Sequence, residues 1–134
     1  MKRTLLISLV TLVMMMGMPL TSHLYADDEV YSNFSVDKLP VYDNQENWYP
    51  CVNYVIQNLQ VFPQNEGRVI CQLVVEKDGS IEEVTAVRSC GDKAVDNEVI
   101  RLLKTTSKKW APAQKNGEAV RCKIMIPVNV SPKK

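Results

Sequence analysis

This 134-residue sequence has a single histidine, His23, which lies in an apolar N-terminal segment. If that segment is removed after export, the remaining chain has no imidazole, the commonest general base and metal ligand in proteins. A thiol nucleophile would then lack the histidine that usually activates it. No CxxC pair occurs either, which disfavours a zinc site or a thioredoxin-like redox site. We therefore predict no enzymatic activity, no metal ion and no cofactor.

Carboxylate pairs suited to glycoside hydrolysis are also missing. The two candidate pairs are Glu82 with Glu83 and Asp96 with Glu98. Adjacent residues of a strand point to opposite faces, and residues two apart do not share a face of a helix. Neither pair can therefore flank one glycosidic bond in the way that such an enzyme requires.

The sequence has no excess of charge of one sign, because 16 Lys and Arg residues balance 15 Asp and Glu residues. This balance provides no basic footprint for nucleic acid. The chain also has no long proline-rich or low-complexity linker and no internal repeat, and residues 27–134 suffice for one small domain. We expect its partners to be proteins, with no nucleic acid and no small-molecule substrate.

The N-terminal residues 1–26 have the form of a signal peptide. A basic pair, Lys2-Arg3, precedes an apolar run over residues 5–20, and Ala26 offers a cleavage point. The prediction is a periplasmic protein exported by a cleaved signal. The alternative is an uncleaved inner-membrane anchor, because the apolar run is close to the shortest length that spans a membrane.

Two segments follow the signal. Residues 27–45 are polar with scattered aromatic residues and no period, which predicts an extended leader packed in part through Val30, Tyr31 or Phe34. The domain itself is predicted over residues 46–134. It begins with a helix from about residue 46 to 60, where one apolar stripe recurs at helical spacing. The residues of that stripe are Val52, Val55, Ile56 and Leu59.

Residues 67–130 predict two strands, a helix and a third strand. Alternating apolar runs lie on both sides of Asp78-Gly79, the strongest short-range signal for a hairpin, and alternation returns from Cys122 to Val130. A right-handed crossover makes the third strand parallel to the second, with the first strand between them. We predict an α+β domain in which both helices cover one face of an antiparallel three-stranded sheet and the third strand lies at an edge.

The four cysteines all follow the predicted signal, and an even number in a small exported domain indicates disulfides. Cys71 and Cys122 fall on neighbouring predicted strands and on the same face, which favours a bridge between them. Cys51 and Cys90 would then form the second bridge. The alternative is that Cys71 and Cys122 are reduced and packed in the core.

Further short motifs follow one another along residues 67–130, among them Ser89-Cys90-Gly91 and Trp110-Ala111-Pro112-Ala113. In their order, these motifs resemble the C-terminal domain of TonB, the protein that couples inner-membrane energy to outer-membrane transporters. Upstream, Leu39 to Tyr42 and Phe62-Pro63 resemble the version of this domain with an additional preceding helix. Full-length TonB proteins carry a long proline-rich spacer, which this chain lacks. The matching segments are Gly67-Arg68-Val69, Asp78-Gly79, Ser89-Cys90-Gly91, Val95-Asp96, Trp110-Ala111-Pro112-Ala113, Gly117-Glu118-Ala119-Val120 and Ile126-Pro127-Val128.

The resemblance implies that a short segment of an outer-membrane transporter pairs with the edge of the third strand. Such an edge offers unpaired N–H and C=O groups to an added strand. The alternative is a blocked edge, because Pro127 removes a donor and Lys123 adds a charge. The predicted partner-binding residues are Lys123, Ile124, Met125, Ile126 and Asn129.

A second hypothesis is a structural or adaptor protein of the envelope. In that case the domain self-associates as a homodimer, or binds another envelope component, without coupling to a transporter. The sheet face away from the helices, with Ile70, Val74, Val87 and Met125, would be a partner or self-association surface or would be covered by residues 27–45.

Overall fold

A computed structural model describes residues 29–133, so the predicted signal over residues 1–26 lies outside the described residues. The predicted order of helix, hairpin, helix and third strand is confirmed. No helix within residues 29–133 is long and apolar enough to cross a membrane. The elements in chain order are β1 (Val30–Ser32), β2 (Val41–Tyr42), α1 (Tyr49–Asn58), β3 (Gly67–Val75), β4 (Ile81–Arg88), α2 (Lys93–Lys104), β5 (Trp110–Ala111), β6 (Ala113–Lys115) and β7 (Glu118–Val130).

The main sheet has the strand order β1-β7-β3-β4, and β6 pairs with the start of β7. The central strand β3 is antiparallel to both β4 and β7, as predicted for the first strand. Its ladder with β7 extends from Gly67 opposite Val130 to Val75 opposite Cys122. Two short strands, β2 and β5, form a separate antiparallel pair.

The core lies on one face of this sheet, because side chains alternate in and out along β3 and β7. Both helices contribute buried residues to the same cluster, including Val55 from α1 and Val99 from α2. The prediction that both helices cover one face agrees with this cluster. The inward residues of the two central strands are Val69, Cys71, Leu73, Val75, Cys122, Ile124, Ile126, Val128 and Val130.

Hydrogen bonds at the end of β4 fix the entry into α2. Asp92 is the N-cap of the helix and accepts from the amides of Ala94 and Val95. The carboxylate of Asp96 accepts from Ser89 Oγ at 2.5 Å and from the Cys90 amide at 3.0 Å. Burial alone would raise the pKa of Asp96, but these hydrogen bonds outweigh it and lower that pKa. The carboxylate therefore stays ionised and ties the first turn of α2 to the end of β4.

Part of the leader packs against the domain. Tyr42 is buried, and its ring lies 5.2 Å from that of Trp110. The indole of Trp48 donates to the Pro40 carbonyl at 3.0 Å and stacks edge-on against Trp110. Phe34, by contrast, is 91% exposed.

The third strand is not an open edge along its whole length, which corrects the prediction, because β1 pairs with it on the side away from β3. The parallel strand β1 pairs with Arg121–Lys123, and β6 pairs with Glu118–Val120. β1 was not predicted as a strand, because three residues are too few to show a period. The leader thus adds a strand to the sheet. On the outer face, Val87 and Met125 are exposed, whereas Val74 is buried.

The hairpin turn provides a test of the packing between β5 and the β3–β4 hairpin. Gly79 has φ +84°, and a Cβ there would lie 2.1 Å from the Trp110 carbonyl oxygen. Gly117 has a similar φ of +80° but open space around it, so it is a matched control. A positive φ costs alanine about 1–2 kcal/mol at either site. We predict that Gly79→Ala lowers the free energy of unfolding by at least about 2 kcal/mol more than Gly117→Ala, measured by urea unfolding.

Equal losses for these two variants would contradict the close approach of Gly79 to Trp110. Circular dichroism before unfolding shows whether each variant is folded.

Candidate functional site

The candidate site is the open edge of β7. On the side away from β3, β1 pairs with residues 121–123 of this strand. Among residues 29–133, no strand pairs with residues 124–130 on that side. Seven residues of extended backbone span about 23 Å, which is long enough to pair with a short peptide.

The direction of the backbone groups on this edge follows from the hairpin. The Glu76 amide donates to the Ser80 carbonyl, toward the β4 side of the sheet. Successive residues of a strand direct their N–H and C=O groups to opposite sides, so Val75 directs its groups toward Cys122 on β7. Even-numbered residues of β7 therefore bond to β3. The odd-numbered residues Met125, Pro127 and Asn129 direct their backbone groups to the open side.

Pro127 supports this assignment, because proline has no N–H and is tolerated in a strand where that group would face away from the ladder. The open edge therefore offers three carbonyl acceptors and two amide donors. The donors belong to Met125 and Asn129. The proline lowers the number of donors at the edge but does not close it, and it prevents continuous pairing of the kind that leads to aggregation.

An apolar groove lies between this edge and helix α1. It consists of two adjoining cavities of about 320 and 240 Å³ that share Ile56 and Asn129. A strand added to the edge would point every second side chain into this groove. The first cavity is lined by Trp48, Tyr49, Val52, Asn53, Ile56, Ile126, Pro127 and Asn129, and the second by Ile56, Leu59, Phe62, Asn129, Val130, Ser131, Pro132 and Lys133.

The five predicted binding residues have different positions. Lys123 pairs with Ser32 of β1, so its outward backbone groups face a strand of the same chain. Ile124 and Ile126 point into the core, although Ile126 also lines the groove. Met125 is 51% exposed beside the open edge. Asn129 is exposed and accepts a hydrogen bond from Arg68 Nε at 2.9 Å.

Sequence reasoning missed the contribution of helix α1 to the site. Tyr49 is 67% exposed, and Ile56, predicted to belong to the buried stripe, is 41% exposed. Both line the groove. One signal in the sequence could have indicated this contribution: helix α1 has more apolar residues than one buried stripe requires.

The cysteines are all free thiols, so neither predicted disulfide is present. Cys71 and Cys122 share the core face as expected, but Cys71 lies opposite Ile126 and Cys122 opposite Val75. A four-residue offset along the strands separates the two Cα atoms by about 13 Å, whereas a disulfide needs less than about 7 Å. Burial raises the pKa of Cys51 to about 12 and that of Cys71 to about 11, so both stay protonated and unreactive.

No group of three or more His, Cys, Asp or Glu side chains that could hold a metal ion occurs within residues 29–133. Asp96, the one buried carboxylate of this part of the chain, has only Ser89 and Cys90 as hydrogen-bond donors. The Ser89 hydroxyl and the Asp96 carboxylate connect the end of β4 with the first turn of α2.

The fold and the groove define the class: a small α+β protein-interaction domain. The chain belongs to the TonB C-terminal family, because the family described as the Gram-negative bacterial TonB protein C-terminal matches residues 63–130. This confirms the resemblance seen in the sequence. That family is an energy-transducing and interaction domain; the absence of enzymatic activity in this chain stays a prediction.

Among solved structures, the chain is similar to the solution NMR structure of the Pseudomonas aeruginosa TonB C-terminal domain. The two are 16% identical, with a TM-score of 0.42, and the match covers 80% of this chain and 100% of that one. No curated protein matches the sequence.

Thiol reactivity tests the cysteine assignment. Cys90 is half-buried, whereas the other three cysteines are fully buried. We predict that the native protein, purified without reductant, reacts with an aromatic disulfide reagent at one thiol, and that four thiols react in denaturant. A Cys90→Ser variant should lose the fast phase. Two or fewer reactive thiols in denaturant would show that disulfides form.

Proposed function

We propose that the protein is a periplasmic interaction module linked to transport across the outer membrane. In this proposal, an extended segment of an outer-membrane transporter adds to the open edge of β7 as a further strand. The single observation that carries the proposal is the unpaired run of residues 124–130 beside an apolar groove. Family membership provides the class of partner.

The first support is the state of the backbone at this edge. Main-chain hydrogen bonds provide affinity in strand addition, while pockets for alternate side chains provide specificity. The edge offers outward groups of Met125, Pro127 and Asn129, and the groove offers apolar contacts from Trp48 and Ile56. An added strand would thus bury apolar side chains against α1 while its backbone pairs with β7.

The second support is that the same edge already accepts a strand. β1 pairs with β7 in parallel orientation at Arg121–Lys123, directly before the open run. A partner segment that lay in line with β1 would match the twist and the strand spacing that are already present at this edge.

The third support is the condition of the cysteines. An oxidising compartment forms a disulfide only where two thiols can approach each other. Cys51, Cys71 and Cys122 are buried, and the register separates Cys71 from Cys122. The free thiols are therefore compatible with the export that the N-terminal sequence predicts.

A peptide titration tests this proposal. We would add synthetic peptides that tile the N-terminal segments of outer-membrane transporters from the same bacterium to isotope-labelled protein and record amide spectra. The expected result is saturable binding of at least one peptide, with shifts concentrated at residues 124–130 and in α1. Binding of no peptide, or shifts confined to other surfaces, would contradict the proposal.

Matched variants test the groove by placing a charge inside it or outside it. Ile56→Asp places a carboxylate in the apolar groove and should weaken peptide binding about tenfold or more, which corresponds to about 1.4 kcal/mol. Val87→Asp places the same charge at an exposed apolar residue of β4, which the central strand β3 separates from β7, and should leave binding unchanged. Met125→Pro removes an outward donor and should weaken binding in a protein that circular dichroism shows to be folded. Equal affinities for all three variants would overturn the site.

A further inference from the structure

The turn that follows β1 closes one end of the open edge of β7. β1 pairs with β7 as far as Ser32, which lies opposite Lys123, on the side that an added strand would occupy. There the chain leaves the sheet, because the Ser35 amide donates to the Ser32 carbonyl at 3.0 Å and forms a β-turn. A strand added along residues 124–130 therefore meets this turn at its end beside Ile124.

This turn carries a highly exposed aromatic side chain. Phe34 is the third of its four residues and is 91% exposed. Consecutive Cα atoms are about 3.8 Å apart, so the Cα atom of Phe34 lies at most about 7.6 Å from that of Ser32. Because Ser32 lies opposite Lys123, the Phe34 ring is within reach of the last side chain of a strand that ends beside Ile124.

Contacts within the turn and on both sides of it hold Phe34 in this place. The hydroxyl oxygens of Ser32 and Ser35 lie 3.1 Å apart, within hydrogen-bond distance. Lys115 Nζ donates to the Ser35 carbonyl at 3.0 Å, and Val36 packs against the core directly after the turn. The turn is therefore ordered before a partner binds, and little conformational entropy is lost when its tip is covered.

The position of Phe34 distinguishes it from an ordinary exposed apolar residue. Single apolar side chains are common on protein surfaces, but this one lies at the closed end of an unpaired strand edge. Phe34 lines neither cavity of the groove, so it would add a contact outside the groove. The match to the TonB family covers residues 63–130, so family membership assigns no role to Phe34.

We propose that Phe34 is the end anchor of the partner strand. The turn determines where the added strand stops, and the Phe34 ring packs against the side chain at that end. This inference rests on the proposed function, because it concerns the same strand addition. The partner is then an extended protein segment whose last paired residue, beside Ile124, is apolar, since burial of an exposed aromatic ring against an apolar side chain is favourable.

A fixed end also determines the register of pairing. Seven residues of β7 remain between the turn and the end of the strand at Val130. A shift of an added strand by one residue would turn its groove-facing side chains to the opposite face. A stop beside Ile124 together with an apolar contact to Phe34 selects one register, so the leader contributes specificity that the edge alone does not provide.

Loss of the ring tests the anchor with a peptide that binds in the titration described above. We expect Phe34→Ser to weaken binding at least about fivefold, because the apolar contact is lost. Phe34→Trp keeps an aromatic ring and should bind within about twofold of the native protein. The matched control is Val87→Ser, which removes an exposed apolar side chain from β4 and should bind as the native protein does. Amide shifts at residues 124–130 should persist in every complex.

Cross-linking tests the position of the stop. Phe34→Cys, made together with Cys90→Ser, carries an exposed thiol at the turn, and Ser131→Cys in the same background carries one just beyond the other end of the open edge. Each variant is oxidised mildly with bound peptides that carry one cysteine at successive positions. We expect the two variants to react with opposite ends of the peptide, each at least about tenfold faster than with the far end, because seven residues of a strand span about 23 Å.

The outcomes separate this inference from the proposed function. Equal affinities of the native protein and Phe34→Ser, with shifts still at residues 124–130, would overturn the anchor and leave strand addition intact. Reaction of both cysteine variants at the same end of the peptide, or equally along it, would overturn the stop at the turn. Binding of no peptide to the native protein would overturn the proposed function, and the anchor with it.

Discussion

The antiparallel ladder between β3 and β7 is the interaction on which the rest of the structure depends. It joins nine consecutive residue pairs, from Gly67 with Val130 to Val75 with Cys122, without a break. Because side chains alternate along both strands, this register alone collects their inward residues into one buried face. A shift by one residue would expose that entire set. The helices, the hairpin and the leader all pack against the surface that this ladder creates.

The same ladder determines which backbone groups are left for partners. It uses the even-numbered residues of β7, so the odd-numbered ones face outward. On that side β1 covers residues 121–123, and no strand within residues 29–133 covers residues 124–130. Helix α1 adds an apolar groove to this open edge.

Strand alternation made much of this fold predictable from the sequence, but it predicts faces and not register. It placed Cys71 and Cys122 correctly on the core face, yet the two thiols lie four positions apart along the ladder. Short elements could not be predicted from the sequence for a related reason. β1 has three residues, and the burial of Tyr42 against Trp110 depends on a contact between distant parts of the chain. The groove required the placement of α1 beside the strand edge, which no local pattern specifies.

Amide hydrogen exchange along β7 of the unliganded protein tests the central claim most directly. The account predicts alternation over the open half: the amides of Ile124, Ile126 and Val128 exchange slowly because they bond to β3, whereas those of Met125 and Asn129 exchange at least about a hundredfold faster. Slow exchange at all five amides would show that another part of the protein covers this edge, and the account of an open, partner-accepting strand would be wrong.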